Sequence, residues 1–308
     1  MAGSGGRPSA RPPSSLAPVD ADMPSVLNPE QRQAFDRDGY AIVRSFFDAE
    51  ETALLRGAME ADPTILANSY NRGDAEGAVT RMVTWNHPGD SVYGLAARSE
   101  RMVDTMEDLL GGEVYHYHSK LTAKEPFEGG AWEWHQDYGY WYNNGCLFPL
   151  MASTMIALDR SDRSNGCLQV LKSSHLMGRL DHALLEGQQV GADLRRVEEA
   201  TKRLETVYCE MDPGDALFFH CNTLHRSDQN RSASRRWTMI CCYNAARNDP
   251  YREHHHPRYT PLKKVPDGAI RAAGLKFANA ADDEVFLKKA TAPADLAKTA
   301  GKVFVQPG

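Results

Sequence analysis

Residues 132–141 read Trp-Glu-Trp-His-Gln-Asp-Tyr-Gly-Tyr-Trp, which sets His135 and Asp137 two positions apart among the rings of Trp132, Trp134, Tyr138, Tyr140 and Trp141. In a strand or extended turn, residues i and i+2 project to the same side, so an imidazole and a carboxylate would face one point. A second histidine from elsewhere would complete a 2-His-1-carboxylate face, which holds Fe(II) and leaves coordination positions open. Alone, such a pair is equally an ordinary histidine beside an aspartate, so residues further along the chain must decide. His225 comes soon after the apolar run 216–219, and Ser227, Asn230, Ser232 and Arg236 lie beyond it. Arg236 stands 11 residues beyond His225 (236 − 225) and opens the next apolar run. A hairpin of that length would bring a guanidinium beside the metal, suited to a bidentate grip on the far carboxylate of a dicarboxylate co-substrate. Two rival readings are a zinc hydrolase, since His/His/Asp also suits zinc, and a non-catalytic metal-binding protein. Neither gives Arg236 and Lys124 an obvious role.

The chain that must position these groups has 308 residues, a formal charge of −6, 42% hydrophobic and 25% charged residues. That is an ordinary globular composition with room for a sizeable core. The charge gives no reason to expect nucleic acid or an anionic membrane as partner, and no apolar run is long enough to cross a bilayer. Cys146, Cys167, Cys209, Cys221, Cys241 and Cys242 contain no CxxC spacing and sit mostly in apolar runs. They read as buried thiols in a reducing compartment. Residues 1–25, rich in Ser, Pro, Gly and Ala, read as a disordered tail without a secretory signal. A cytoplasmic location is expected, with organelle import the lesser alternative, and the oligomeric state is not legible.

Residues 26–308 are expected to form one domain. Asn28-Pro29-Glu30-Gln31 and Asp48-Ala49-Glu50-Glu51 are N-terminal capping patterns for two helices, and a third is expected near 100–110, stopped by Gly111. Residues 62–94 read as loop-rich. From Val114 the texture becomes short strands, at 114–124, 150–158, 167–171, 206–211, 216–219 and 236–243, separated by turns such as Asn165-Gly166 and Pro213-Gly214. The expected fold is mainly β with flanking helices (α+β), around a jelly-roll or double-stranded β-helix core. A charged surface helix is expected within 191–204. Residues 250–308 read as a peripheral helical extension, and His254-His255-His256 as a loop over the mouth of the site.

Taken together, Trp134-His135-Gln136-Asp137, Asn165-Gly166-Cys167-Leu168 with Ser173-Ser174-His175, and His225 through Arg236 resemble the Fe(II)/2-oxoglutarate-dependent oxygenases of the phytanoyl-CoA dioxygenase family. The resemblance spans roughly 30–245 and is strongest between 114 and 243. It implies His135, Asp137 and His225 as metal ligands, Arg236, Lys124 and Ser227 as contacts to 2-oxoglutarate, and Thr154 as a lesser co-substrate contact. The look is closest to the ectoine and free-proline hydroxylases. That implies Trp141 beside the substrate, with His118, Gln136 and Tyr138 as further candidates. His118 falls where ectoine hydroxylases place a glutamine, which puts ectoine itself in doubt, and Lys172 to His175 departs from the family's Pro-Gly-Ser-His turn. The bland readings are a solvated strand-end Lys124, a turn-bonding Ser227 and core aromatics. On strand parity, Trp141 is expected to face the site rather than Tyr138. The implied reaction uses Fe(II), 2-oxoglutarate and O2, with ascorbate as an assay aid. It would hydroxylate a small, polar, amino- or imino-acid-like metabolite and release succinate and CO2. The carboxylate Asp137 argues against halogenation, while desaturation, epimerisation and demethylation share the triad.

Overall fold

A computed structural model describes residues 26–185, 189–279 and 286–287. The expected tail at 1–25 lies outside them. The strands are β1 (Tyr40–Val43), β2 (Tyr70–Gly73), β3 (Val79–Trp85), β4 (Val114–Lys124), β5 (Trp132–His135), β6 (Met151–Ala157), β7 (Leu168–Leu171), β8 (His182–Leu184), β9 (Val190–Ala192), β10 (Thr206–Cys209), β11 (Ala216–His220), β12 (His225–Ser227) and β13 (Arg236–Ala245). The helices are α1 (Pro29–Asp38), α2 (Ala49–Ala61), α3 (Pro63–Asn68), α4 (Val92–Arg98), α5 (Glu100–Leu110), α6 (Asp137–Trp141), α7 (Leu194–Thr201) and α8 (Ala269–Ala273). Both capping boxes form: Asn28 with Gln31 starts α1, and Asp48 with Glu51 starts α2.

A seven-stranded sheet runs β1-β11-β6-β13-β4-β3-β2, and a four-stranded sheet runs β10-β7-β12-β5. They face each other as a jelly roll. The outer face of the large sheet is covered by helices, where Leu121, Ile156, Phe218 and Met239 pack with Leu55, Met106 and Ile270. Its inner face meets the small sheet through Met155, Leu217, Phe219 and Ile240 against Leu168 and Val170. Polar side chains on that inner surface are held between two layers of β-structure, out of bulk water.

Residues 62–94 are more ordered than their composition suggests, because α3, β2 and β3 fall there and α4 begins there. β2 and β3 are short and half polar, so they lack a clean alternation, yet they extend the large sheet beyond β4. The surface helix within 191–204 is shorter than expected, confined to α7. Between 250 and 279 only α8 is helical. The segment is not peripheral: Ile270 is fully buried in the helix-side core, and His256 reaches into the site.

β4 carries one irregularity that matters. Cys242 pairs with His118 but Tyr243 pairs with His116, so Tyr117 is an extra residue, a β-bulge. The bulge lets Tyr115 and Tyr117 join the core between the sheets although His118 and Lys120 line the cavities there too.

Candidate active site

His135 ends β5 and pairs directly with His225, the first residue of β12. Asp137 begins α6, one residue after Gln136 turns the chain with extended dihedrals. The turn is held from several sides. The Gln136 side chain accepts from Leu180 N and donates to the carbonyls of Gly178 and Asn222, and its backbone N–H donates to His182 Nε2. α6 lies so close to His182 that a Cβ on Gly139 would sit 2.1 Å from that ring. One ligating atom each from His135, Asp137 and His225 falls within 4.8 Å of the others, and all three residues are buried.

The donor set suits a divalent metal. His135 Nδ1 lies 2.7 Å from the Glu133 carbonyl and His225 Nδ1 2.9 Å from the Thr223 carbonyl. Each ring is thereby oriented with Nε2 left over. Burial holds His135 well below its ordinary pKa, helped by the neighbouring His225. Burial also lowers His225, against the pull of Asp137. Neutral imidazoles are what a metal needs. Ser153, on β6, donates to Asp137 Oδ2 at 2.8 Å, while Asp137 Oδ1 lies 4.0 Å from His225 Nε2.

Two adjoining cavities share Met82, Lys120, Trp132 and His135 in their walls. The inner one is lined by Thr122, Lys124, His225, Ser227 and Arg236 among others. Lys124 and Arg236 are direct partners across β4 and β13. Lys124 is buried and its Nζ donates to Ser227 Oγ at 2.8 Å and to the Asp228 carbonyl. Arg236 is 2% exposed, and its Nε and Nη1 have no hydrogen-bond partner among the described residues. Burial lowers the guanidinium to about 10, still charged at neutral pH, and burial followed by the charge of Arg236 lowers Lys124. Neither Lys124 nor Arg236 is ion-paired with a carboxylate among the described residues, so holding both charges in the interior is costly, and a bound dianion would relieve that cost.

The outer cavity is bordered by Asp137, Tyr140, Trp141, His118, His255 and His256. Trp141 reaches it for a different reason from strand parity. Residues 137–141 form a helix, and positions i and i+4 share a helical face. Tyr138 turns away, packs in the core between the sheets and donates its hydroxyl to the Cys146 carbonyl. Gln136 has its amide committed to backbone groups and is not among the residues lining either cavity. Thr154 pairs with Phe218 and Cys241, which belong to the helix-side core, so it faces away from both cavities. Its neighbour Ser153 has the inward parity. Arg236 does not reach the site by a hairpin from His225, because β12 and β13 lie in different sheets; it arrives across the gap between them. Lys120 and Ser153 gave no signal in the sequence beyond alternation along their strands.

Residues 35–238 match the phytanoyl-CoA dioxygenase (PhyH) family. The chain belongs to the phytanoyl-CoA dioxygenase family. Among its relatives, an ectoine dioxygenase from Sphingopyxis alaskensis is 30% identical over 72% of this chain and 77% of its own length. An L-proline trans-4-hydroxylase from Streptomyces griseoviridis is 32% identical over 53% of this chain and 67% of its own. The crystal structure of EctD from S. alaskensis with 2-oxoglutarate and 5-hydroxyectoine superposes with a TM-score of 0.67 at 25% identity, covering 84% of this chain and 96% of that one. The non-heme alpha-ketoglutarate-dependent carbocyclase SnoK shares the fold at 20% identity and a TM-score of 0.59, covering 85% and 97%. No described helix is long and apolar enough to cross a membrane.

Proposed function

We propose that this member of the phytanoyl-CoA dioxygenase family is an Fe(II)- and 2-oxoglutarate-dependent dioxygenase that hydroxylates an unactivated C–H bond of a small polar metabolite. The observation that carries the reading is Arg236, buried with Nε and Nη1 unpartnered beside Lys124, in a cavity whose opposite wall holds His225 and His135. A dicarboxylate fits that separation of roles, one end at the cations and the other at the triad.

His135 and His225 through Nε2, and Asp137 through Oδ1, would hold the metal. Bound there, iron supplies activation of O2 coupled to decarboxylation of 2-oxoglutarate to succinate. The chain's own residues bind and orient. Arg236 and Lys124 take the far carboxylate, with Ser227 steadying the lysine. Ser153 fixes the Asp137 carboxylate so that one oxygen faces the metal position. Trp141, Tyr140 and His256 wall the outer cavity and limit water beside the reacting carbon. The intact carboxylate at position 137 supports hydroxylation over halogenation.

The test is succinate released by the Fe(II)-reconstituted protein from 2-oxoglutarate, in air and without oxygen, with and without L-proline, other small amino and imino acids and ectoine. Oxygen-dependent succinate that disappears in Asp137→Ala and Arg236→Ala is expected. Its absence from the wild-type protein, together with absence of 2-oxoglutarate binding by titration, would overturn the reading.

A further inference from the structure

β5 is the end strand of the four-stranded sheet, hydrogen-bonded to β12 on one edge and to no described strand on the other. Its outer edge therefore carries backbone N–H and C=O groups that the sheet leaves unpaired. One side chain takes two of them. Gln189 Oε1 accepts from the Glu133 N–H at 2.9 Å, and Gln189 Nε2 donates to the Ala131 carbonyl at 2.8 Å. A primary amide offers an acceptor and a donor side by side, as the backbone of a neighbouring strand would. Gln189 is 2% exposed, so both bonds are made away from water.

The residue held in this way is the one that orients a metal ligand. The Glu133 carbonyl lies 2.7 Å from His135 Nδ1. The N–H and C=O of one strand residue share an edge, so fixing the Glu133 N–H also fixes the carbonyl that His135 meets. The chain around Gln189 is itself anchored. The Val190 carbonyl accepts from the Tyr140 hydroxyl, and a Cβ on Gly191 would sit 3.0 Å from the Trp134 carbonyl oxygen. β9 pairs with β8, whose His182 accepts from the Gln136 N–H. One strand pair thus grips the chain before His135 and the turn after it.

We propose that Gln189 is a positioning residue for the metal. Standing in for an absent strand along the edge of β5, it fixes the Glu133 carbonyl and, through it, the orientation of the His135 imidazole. This rests on the metal site of the dioxygenase reading and adds a support that the ligands do not reveal. Gln189 lines neither cavity, so it acts on metal affinity and ligand geometry rather than on the binding of 2-oxoglutarate or substrate.

The experiment uses the full chain stripped of metal and titrated with Co(II), whose visible absorption reports ligand geometry. Gln189→Leu fills much the same space and removes both bonds. It is expected to weaken Co(II) binding by roughly 10- to 100-fold in chelator competition and to change the Co(II) spectrum. At saturating metal the KM for 2-oxoglutarate is expected to stay the same. The control is Asn165→Leu. Asn165 bridges the Arg160 carbonyl and the Asp162 N–H by the same pattern, at 2.8 Å each, and lines neither cavity. It is expected to lower the melting temperature and to keep the wild-type Co(II) affinity and spectrum. Wild-type affinity and spectrum in Gln189→Leu would overturn the proposal, and so would equal losses of affinity in the two variants. A second measurement needs no substitution. By linkage, a bond that helps the metal bind is itself strengthened when the metal is bound. Zn(II) is expected to slow hydrogen exchange at the Glu133 amide of the wild-type protein tenfold or more beyond its effect on β1, an edge strand that carries no ligand. Equal slowing at both strands would overturn the proposal even if Gln189→Leu fails to fold. Failure of the dioxygenase reading looks different: wild-type protein would then neither bind nor turn over 2-oxoglutarate, whatever Gln189 does to metal affinity.

Discussion

The Ser153 hydroxyl donates to Asp137 Oδ2 at 2.8 Å, and this bond reaches from the central part of the large sheet to the first residue of α6. It occupies one carboxylate oxygen and leaves Oδ1 toward His225. Partners of this kind orient a ligand they do not replace, and removing one typically costs about 10- to 100-fold in metal affinity. Ser153→Ala is therefore expected to weaken Fe(II) binding by that factor, read by competition with a chelator, while the circular dichroism of the fold is retained. Unchanged affinity would make Ser153 a packing residue only.

Arg236 makes a paired prediction. Its guanidinium is buried with two unpartnered nitrogens, so it costs the apo protein stability. Arg236→Met should leave the melting temperature of the apo protein unchanged or raise it. The same variant should lose the stabilisation that 2-oxoglutarate gives the wild-type protein, and the KM for 2-oxoglutarate should rise by roughly 10- to 100-fold. A thermal shift on addition of 2-oxoglutarate that survives the substitution would show that the co-substrate does not reach this arginine.

Acid should destabilise the fold through histidines remote from the triad. Burial takes His116 from 6.5 down to about 3, and His220 from 6.5 to about 4. Between these values and 6.5 the unfolded chain binds protons that the folded chain refuses. Stability is thus present in full above about pH 6.5 and falls as pH drops through the window, by roughly 1.4 kcal/mol per pH unit for each histidine. Urea midpoints from pH 7 to pH 5 measure the slope, and His220→Gln should reduce it by about one proton. A flat profile would contradict the burial argument.

Asn86 holds the histidine run against the site. Its side chain donates to the His255 carbonyl, and its Oδ1 lies 2.9 Å from His256 Nδ1. Asn86→Ala should speed hydrogen exchange across residues 251–258 by tenfold or more while leaving β4 and β13 protected. Equal protection in both proteins would mean that the stacking of His256 on His118 and its tilted contact with Tyr117 suffice to hold the segment.

Chemistry set by residue type is the legible part of the sequence. A histidine, an aspartate, a second histidine and an arginine at those spacings announce a metal and a dianion, and the helix caps announce where α1 and α2 begin. The illegible part depends on parity and on contacts between sheets. Thr154 and Ser153 differ by one position, and only the register of β6 against β11 and β13 decides which points inward. The bulge at Tyr117 shifts the alternation of β4 locally, with no mark in the composition. Trp141 lines the outer cavity by helical periodicity and not by the strand parity that the sequence suggests, because a helical turn and a strand can bring the same residue to one face. Residues 250–258 have no periodicity at all, so their approach to the site is visible only in three dimensions.

The inner cavity is walled largely by β-strands, whereas Trp141 comes from a five-residue helix and His255 and His256 from irregular chain. The outer cavity thus draws part of its wall from helical and irregular chain, beside strand residues such as Tyr70, Met82 and His118. Residues 142–144 and 250–258 lie outside the strands that carry His135, His225, Lys124 and Arg236. The two cavities thus differ in what an exchange between relatives would disturb: changes in 142–144 or 250–258 would alter the wall of the outer cavity without altering the register of the strands around the inner one.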